Sequence, residues 1–298
     1  MSRDFDHKRL YPLTTGAIAF LSPGSLAGAR RVRLDPVALR LEHISDEAIL
    51  LAGGARAILL QLALPPVGHG VANHSDFATD PLRRLRHTLT YLYVVVYGTA
   101  EEVARVTGYV DRAHAPVHSE PGAVPAYDAF DPRQQLWVAA TLYDSATTVY
   151  EAVFGAPAPD DAESLYRQYS VLGTALQMPL ELWPRDRAAF AEYWRATREE
   201  LRVDAASRSV AHELLHPANA PLWIRAAMPL ARLLTAGFLD DGLRTAFGLP
   251  WSARRQRRFD RTVRLLAATY PRLPRVLRHL PARHVLARFR SAAGHREG

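Results

Sequence analysis

The sequence predicts an all-α protein, a single globular bundle of roughly ten helices. Three observations carry that prediction. Apolar residues recur at helical spacing in nearly every segment from residue 45 to 293, and caps, prolines or glycines delimit each run. Period-2 alternation never exceeds a few residues, and no Asn-Gly or Asp-Gly hairpin sits between such runs; the β-rich Val94-Val95-Val96-Tyr97 lies inside a longer helical pattern. The composition, 48% hydrophobic and 22% charged, is that of an ordinary globular chain of 298 residues. No internal repeat is visible, so residues 1–298 read as one domain.

The elements follow in order. Ser45-Asp46-Glu47 places acids at the start of AILLAGGARAILLQLAL, where they suit the helix dipole, and Pro65-Pro66 stops the run. Gly53-Gly54 in mid-run lowers helix propensity and predicts a close backbone approach there. Asp80-Pro81 opens LRRLRHTLTYLYVVVYG, which Gly98 ends. Thr99 with Glu101 and Glu102 caps VARVTGYVDRAHA, which Pro116 stops. Asp131-Pro132 opens a long helix that ends at Gly155. Further helices are predicted over 160–177, 185–202, 204–215, 221–238 and 240–247, then over 251–293 with breaks at Pro271, Pro274 and Pro281.

Composition excludes several chemistries. The chain has no cysteine, which removes disulfides, Cys-ligated zinc, iron–sulfur clusters, thiolate nucleophiles and covalent c-type haem. Lys8 is the sole lysine, so the basic residues are arginines almost throughout. Charge is unevenly placed. Residues 251–298 hold 13 arginines against Asp260 and Glu297, a segment of +11 on a body of −4. The apolar residues of this tail (Val263, Leu265, Leu266, Leu273, Val276, Leu277, Leu280) predict helices packed on the body, not a free arm. With no zinc finger, no RNP-like aromatic motif and no zipper, no nucleic-acid partner is expected. The apolar stretch Ala17 to Leu21 is too short for a signal sequence, and no apolar run reaches a membrane span. The expectation is a soluble, cytoplasmic protein, with oligomer formation left open.

Three constellations carry chemical potential. His212-Glu213-Leu214-Leu215-His216 is a literal HExxH, which on a helix places two imidazoles on one face for zinc and Glu213 as general base. Its context is poor: no Glu occurs between 213 and 297, only Asp240, Asp241 and Asp260 could complete the set, and Pro217 puts His216 at a helix end. It reads as an incidental helix end, with a zinc hydrolase as the remote alternative. The second constellation is the helix pair 82–98 and 99–115. Arg84 and Thr88 are four residues apart on one face, which Tyr91 continues. On the next helix Val103, Val106, Val110 and Ala113 form an apolar stripe with His114 at its edge. An imidazole, an arginine and a hydroxyl on adjacent antiparallel helices are what haem with oxygen chemistry requires. The third is V71ANHSDF77, read as a helix–loop junction after Pro65-Pro66. In it His74 and Asp76 could pair and Ser75-Asp76 could cap a short helix; read for function, the stretch and the glycine-flanked His69 before it line a pocket. No GxSxG, Walker loop or dinucleotide fingerprint is present.

The run GGARAILLQLALPPVGHGVANHSDF…DPLRRLRHTLTYLYVVVYGTAEEV…RAHAPVH, with LWVAATLYDSATTVYE, M228PLARLLTAGFL and LRTAFGLPWSARR, resembles the catalytic domain of the MpaB/latex-clearing-protein oxygenases from about residue 46 to 280. The resemblance implies an all-α fold enclosing non-covalent haem b, and oxidoreductase chemistry with dioxygen on a hydrophobic substrate (alkenyl, isoprenoid or polyketide-like). It implies one axial imidazole to the haem iron, His114 in H114APVH118, and an Arg84/Thr88 pair beside the cofactor. His118 stands where the family's motif closes on Arg. Where bacterial relatives read Gln-x-Ala-His-Pro this chain has Gln61-Leu62-Ala63-Leu64-Pro65, and where they read Trp-Val-His-Ala-Thr it has Trp137-Val138-Ala139-Ala140-Thr141. Both histidines are replaced together, which implies a shared site rebuilt as an apolar surface. The expected substrate pocket therefore includes Leu64, His69, His74, Tyr91 and Ala139. The alternative is a family member that has lost or changed the oxygenase chemistry and binds or reshapes an apolar small molecule.

Overall fold

The structure is a computed structural model and describes residues 39–74 and 81–294. The Ser75-Asp76 cap, Asp80 and the stretch Ala17 to Leu21 lie outside the described residues. Among the described residues the chain is helical and holds no strand, only an isolated bridge between His118 and Asp128.

Two helices far apart in sequence form the spine. A 3-10 turn over Ala48–Gly53 leads into α1 (Gly54–Ala63), which packs along α5 (Pro132–Phe154). The two run antiparallel: Gly53 lies against Ser145 and Val149, and Trp137 Nε1 donates to the Leu60 carbonyl at 3.0 Å. A Cβ on Gly53 would sit 2.9 Å from the Ser145 carbonyl oxygen, so the glycine is what allows the approach. Arg56 crosses the seam, buried, donating to Ser145 Oγ (2.8 Å) and the Phe238 carbonyl (2.8 Å) beside Asp144. Around Tyr143 of α5 gather Tyr166, Tyr169, Trp183 and Phe190, edge to face at 5.0–6.3 Å.

Several predicted helices subdivide. The run ending at Pro65-Pro66 does not yield to a loop. Leu64 takes the extended conformation required before proline (φ −83°, ψ 113°), the chain bends by 106°, and Pro65 opens α2 (Pro65–His74). The predicted helix–loop junction at 71–74 is thus helix, because proline in a first turn forfeits an amide that has no helical partner anyway. The 160–177 prediction divides into α6 (Pro159–Tyr169) and α7 (Val171–Thr174). Then come α8 (Arg187–Glu200), α9 (Ala205–Leu215), α10 (Leu222–Phe238) and α11 (Asp241–Ala246). The arginine-rich tail forms α12 (Ala253–Thr269), packed on α5 and α10, a four-residue α13 (Arg275–Arg278), and α14 (Leu280–Gly294).

The pair that frames the site is α3 (Pro81–Tyr97) and α4 (Ala100–His114). Thr99 Oγ1 accepts from the Glu102 amide (3.2 Å) while Glu102 accepts from the Thr99 amide (3.0 Å), the reciprocal cap that starts α4. α14 lies across α3, and Arg290 grips Glu102 at 2.8 Å. No single helix among the described residues is long and apolar enough to cross a membrane.

Candidate functional site

α3 and α4 face each other, and His87 meets Tyr109 across them edge to face at 5.1 Å. His114 ends α4. Its carbonyl accepts from the Val117 amide (2.7 Å), so the chain turns at once. The following loop is pinned by the Ala129 amide donating to the Val117 carbonyl and the Ser119 amide to the Tyr127 carbonyl, both 2.9 Å. This brings Phe130 edge-on to the imidazole at 6.4 Å. Phe130 also lines an open hollow of about 510 Å³ with Asp128, Asp131, Arg133 and Leu182.

The imidazole of His114 is half-buried, and its Nδ1 is buried without a hydrogen-bond partner. Burial first, and the positive charge of Arg84 second, hold its pKa below the ordinary histidine value, against a smaller opposing pull from Asp111. His114 is therefore neutral at neutral pH, with a ring nitrogen unclaimed by protein. That is the state in which histidine ligates metal.

Arg84 combines two properties. Its surface is open to solvent, yet protein crowds it enough that dehydration lowers its guanidinium pKa. Thr88, one turn further along α3, is exposed. His118 is exposed on the short bridge to Asp128. Arg84 and His114 are thus brought within electrostatic reach of each other, with Thr88 on the same helix as Arg84.

The other predicted residues lie elsewhere. Tyr91 is buried and donates to the Leu172 carbonyl at 2.6 Å; burial raises its phenol pKa. Leu64 and Ala139 belong to the apolar core at the same end of the α1–α5 seam, and Ala139 meets α7 at Gly173. His69 pairs with Asp204 at 2.5 Å, clamping α2 to the first turn of α9. His74 meets Tyr127 Oη at 3.1 Å, the oxygen that Asn73 also reaches at 3.1 Å. Asp76, its expected partner, is outside the described residues.

A polar brace that the sequence did not signal fixes the end of α4. Gln177 Nε2 donates to Asp111 Oδ1 (2.7 Å), and Gln135 Nε2 donates to Gln177 Oε1 (2.6 Å) and to the Ala129 carbonyl (2.9 Å). The Gln177 amide returns to Gln135 Oε1 at 3.1 Å. Three segments far apart in sequence are thereby joined next to His114.

At HELLH the two rings stack at 4.4 Å with 21° between their planes instead of converging on a point. His216 leaves the helix (φ −132°, ψ 57°), and its Nδ1 lies 3.1 Å from the His212 carbonyl. Among the described residues no three His, Asp or Glu side chains form a group able to hold a metal ion. What the α3–α4 site offers instead is one neutral imidazole beside a cation. One imidazole is too few protein donors for a bare ion, which needs a fuller set.

The model of the family described as "ER-bound oxygenase mpaB/B'/Rubber oxygenase, catalytic domain" matches residues 41–268. Among similar proteins are an uncharacterized protein of Mycobacterium tuberculosis (strain ATCC 25618 / H37Rv) and one of Mycobacterium bovis (strain ATCC BAA-935 / AF2122/97). Each is 38% identical over 211 residues, covering 69% of this chain and 83% of the relative. No solved structure matches the chain. The match covers both the α3–α4 pair and the α1–α5 spine, and on it the chain belongs to the mpaB/rubber oxygenase catalytic-domain family.

Proposed function

We propose that the protein is a haem b-dependent oxygenase that uses dioxygen on a hydrophobic small molecule of alkenyl, isoprenoid or polyketide-like character. The observation that carries the proposal is His114: neutral, with an unpartnered buried ring nitrogen, beside a crowded but accessible arginine. When bound, haem supplies the iron at which dioxygen is activated. In this reading His114 would hold the haem iron, and the Asp111–Gln177–Gln135 brace would keep the end of α4 still. Arg84 brings a dehydrated positive charge suited to a carboxylate such as a haem propionate or to a polarised oxygen, and Thr88 adds a hydroxyl on the same face. His118, exposed on the bridge to Asp128, would take the place of the arginine that closes the family's motif. The other expected pocket residues contribute differently in this reading: Leu64, Tyr91 and Ala139 are apolar core that keeps water out of the bundle, while His69 and His74 are engaged with Asp204 and Tyr127.

The test is the optical spectrum after expression with ample haem. A Soret band that disappears in His114→Ala, with dioxygen consumed only by the haem-loaded protein in the presence of an alkenyl lipid, is the expected result. A wild-type protein without a Soret band, or equal haem content in the variant, overturns the proposal. A second reading is favoured by the buried, apolar Leu64 and Ala139. It is a member of the family that binds an apolar molecule without oxygenation. It predicts ligand binding that is indifferent to haem and consumes no dioxygen.

A further inference from the structure

The tail contains a turn whose amphipathicity is inverted. In α13 the arginine goes inward: Arg278 is only 9% exposed, pairs with buried Glu47 at 2.8 Å and lies over the rings of Phe154 and Tyr270. Tyr270 Oη donates to the same carboxylate at 3.0 Å and accepts from the Ile49 amide at 3.0 Å, so both ends of the segment are pinned to the body. The apolar residues go outward: Val276 is 56% exposed and Leu277 52%, and every residue from Pro271 to Leu277 is exposed. Water-facing turns place these residue types the other way round. Because the segment is anchored, the outward apolar side chains are held there by the fold and are not a frayed end.

Charge surrounds this apolar knob. Between residues 261 and 294 there is no Asp or Glu. Arg272 and Arg275 are exposed within the knob. On α12 the positions Arg254, Arg258, Arg261 and Leu265 succeed one another at helical spacing, making an exposed cationic row that ends in an exposed leucine just before the knob. None of these arginines pairs with a carboxylate among the described residues.

We propose that this face, residues 254–277, docks on an anionic lipid bilayer, with Leu273, Val276 and Leu277 entering the headgroup–acyl boundary and the arginines lying on lipid phosphates. Aliphatic tips interleaved with long cationic side chains match that boundary, where stems are buried and charges stay with the headgroups. A nucleic acid would use the arginines but leave the aliphatic tips against a polar backbone. A second copy of the same face would set two cationic surfaces against each other.

Vesicle flotation of the full chain tests this, with phosphatidylcholine alone and with phosphatidylcholine mixed with phosphatidylglycerol. Binding to the anionic vesicles that weakens with salt is expected, falling about fivefold for each of Arg272→Gln and Arg275→Gln. The triple variant Leu273→Ser, Val276→Ser, Leu277→Ser should keep the wild-type melting curve, since its side chains are exposed, and lose the vesicles. Failure to float with anionic vesicles, equal binding to neutral ones, or an unchanged triple variant overturns the proposal. So does a duplex oligonucleotide bound as tightly by the triple variant as by the wild type, or a dimer that the triple variant disperses.

Discussion

The C-terminal ends of α4 and α9 both carry a histidine, and they end differently. α4 finishes at His114, where the loop to Phe130 folds back, Arg84 approaches and Nδ1 is buried without a partner. α9 finishes at Leu215, and His216 beyond it stacks on His212 with its Nδ1 at the His212 carbonyl. Burial is the first cause of a lowered pKa at both, but the backbone contact opposes it at His216, which stays exposed. The recognisable motif belongs to the second end and the usable lone pair to the first. A metal ligand needs a nitrogen left unclaimed in a protected place, and sequence spacing does not guarantee one.

The sharpest way to break this contrast is to exchange the ends' fates. His114→Ala should eliminate haem absorbance, whereas His216→Ala should leave both haem content and zinc content where the wild type has them, measured by optical spectrum and metal analysis. Next in size is Ala139→His, which restores a family histidine in the sealed core. Ala139 meets Gly173 of α7, so the larger ring should overpack the seam and lower stability by about 1–3 kcal/mol in a denaturant melt. Leu64→His, at the bend and slightly more exposed, should cost less. Equal costs at both positions would show that the α1–α5 seam is looser than its packing implies. Third is Gln177→Ala, which removes the brace behind His114. About 1 kcal/mol of stability should go with its hydrogen bonds, and haem should dissociate faster while the intact α9 end is untouched. The smallest effect is in pH. The unfolded chain takes up a proton near the ordinary histidine value of about 6.5 while folded His114 resists it, so stability falls as pH drops below that value. The wild-type slope in haem-free protein should exceed that of His114→Gln; His216→Gln should change it less, because that ring remains wet.

Helix starts were legible because a cap is a local event. Thr99 and Glu102 bond each other across three residues, and Asp131 accepts from Arg133 and Gln134, so the sequence window contains both partners. Proline at 65 was harder to read, since the same residue that ends one helix is tolerated in the first turn of another. The polar brace was not legible: its bonds join residues 42 and 66 positions apart. Nor was the inversion at Arg278, whose partner Glu47 lies at the opposite end of the chain.

By itself the sequence determined an all-helical chain, its principal breaks, the close approach at Gly53, and, through its resemblance to the family, the histidine to examine. The tertiary structure alone decided that His114 is held neutral with a buried, unpartnered Nδ1, that the HELLH rings stack, and that the tail turns its arginine inward and its leucines out. Caps and periodicity act over a few residues and are written in the order of the chain. Desolvation, charge proximity and the choice of a buried partner depend on which distant segments fold against a group, and these exist only once the chain is packed.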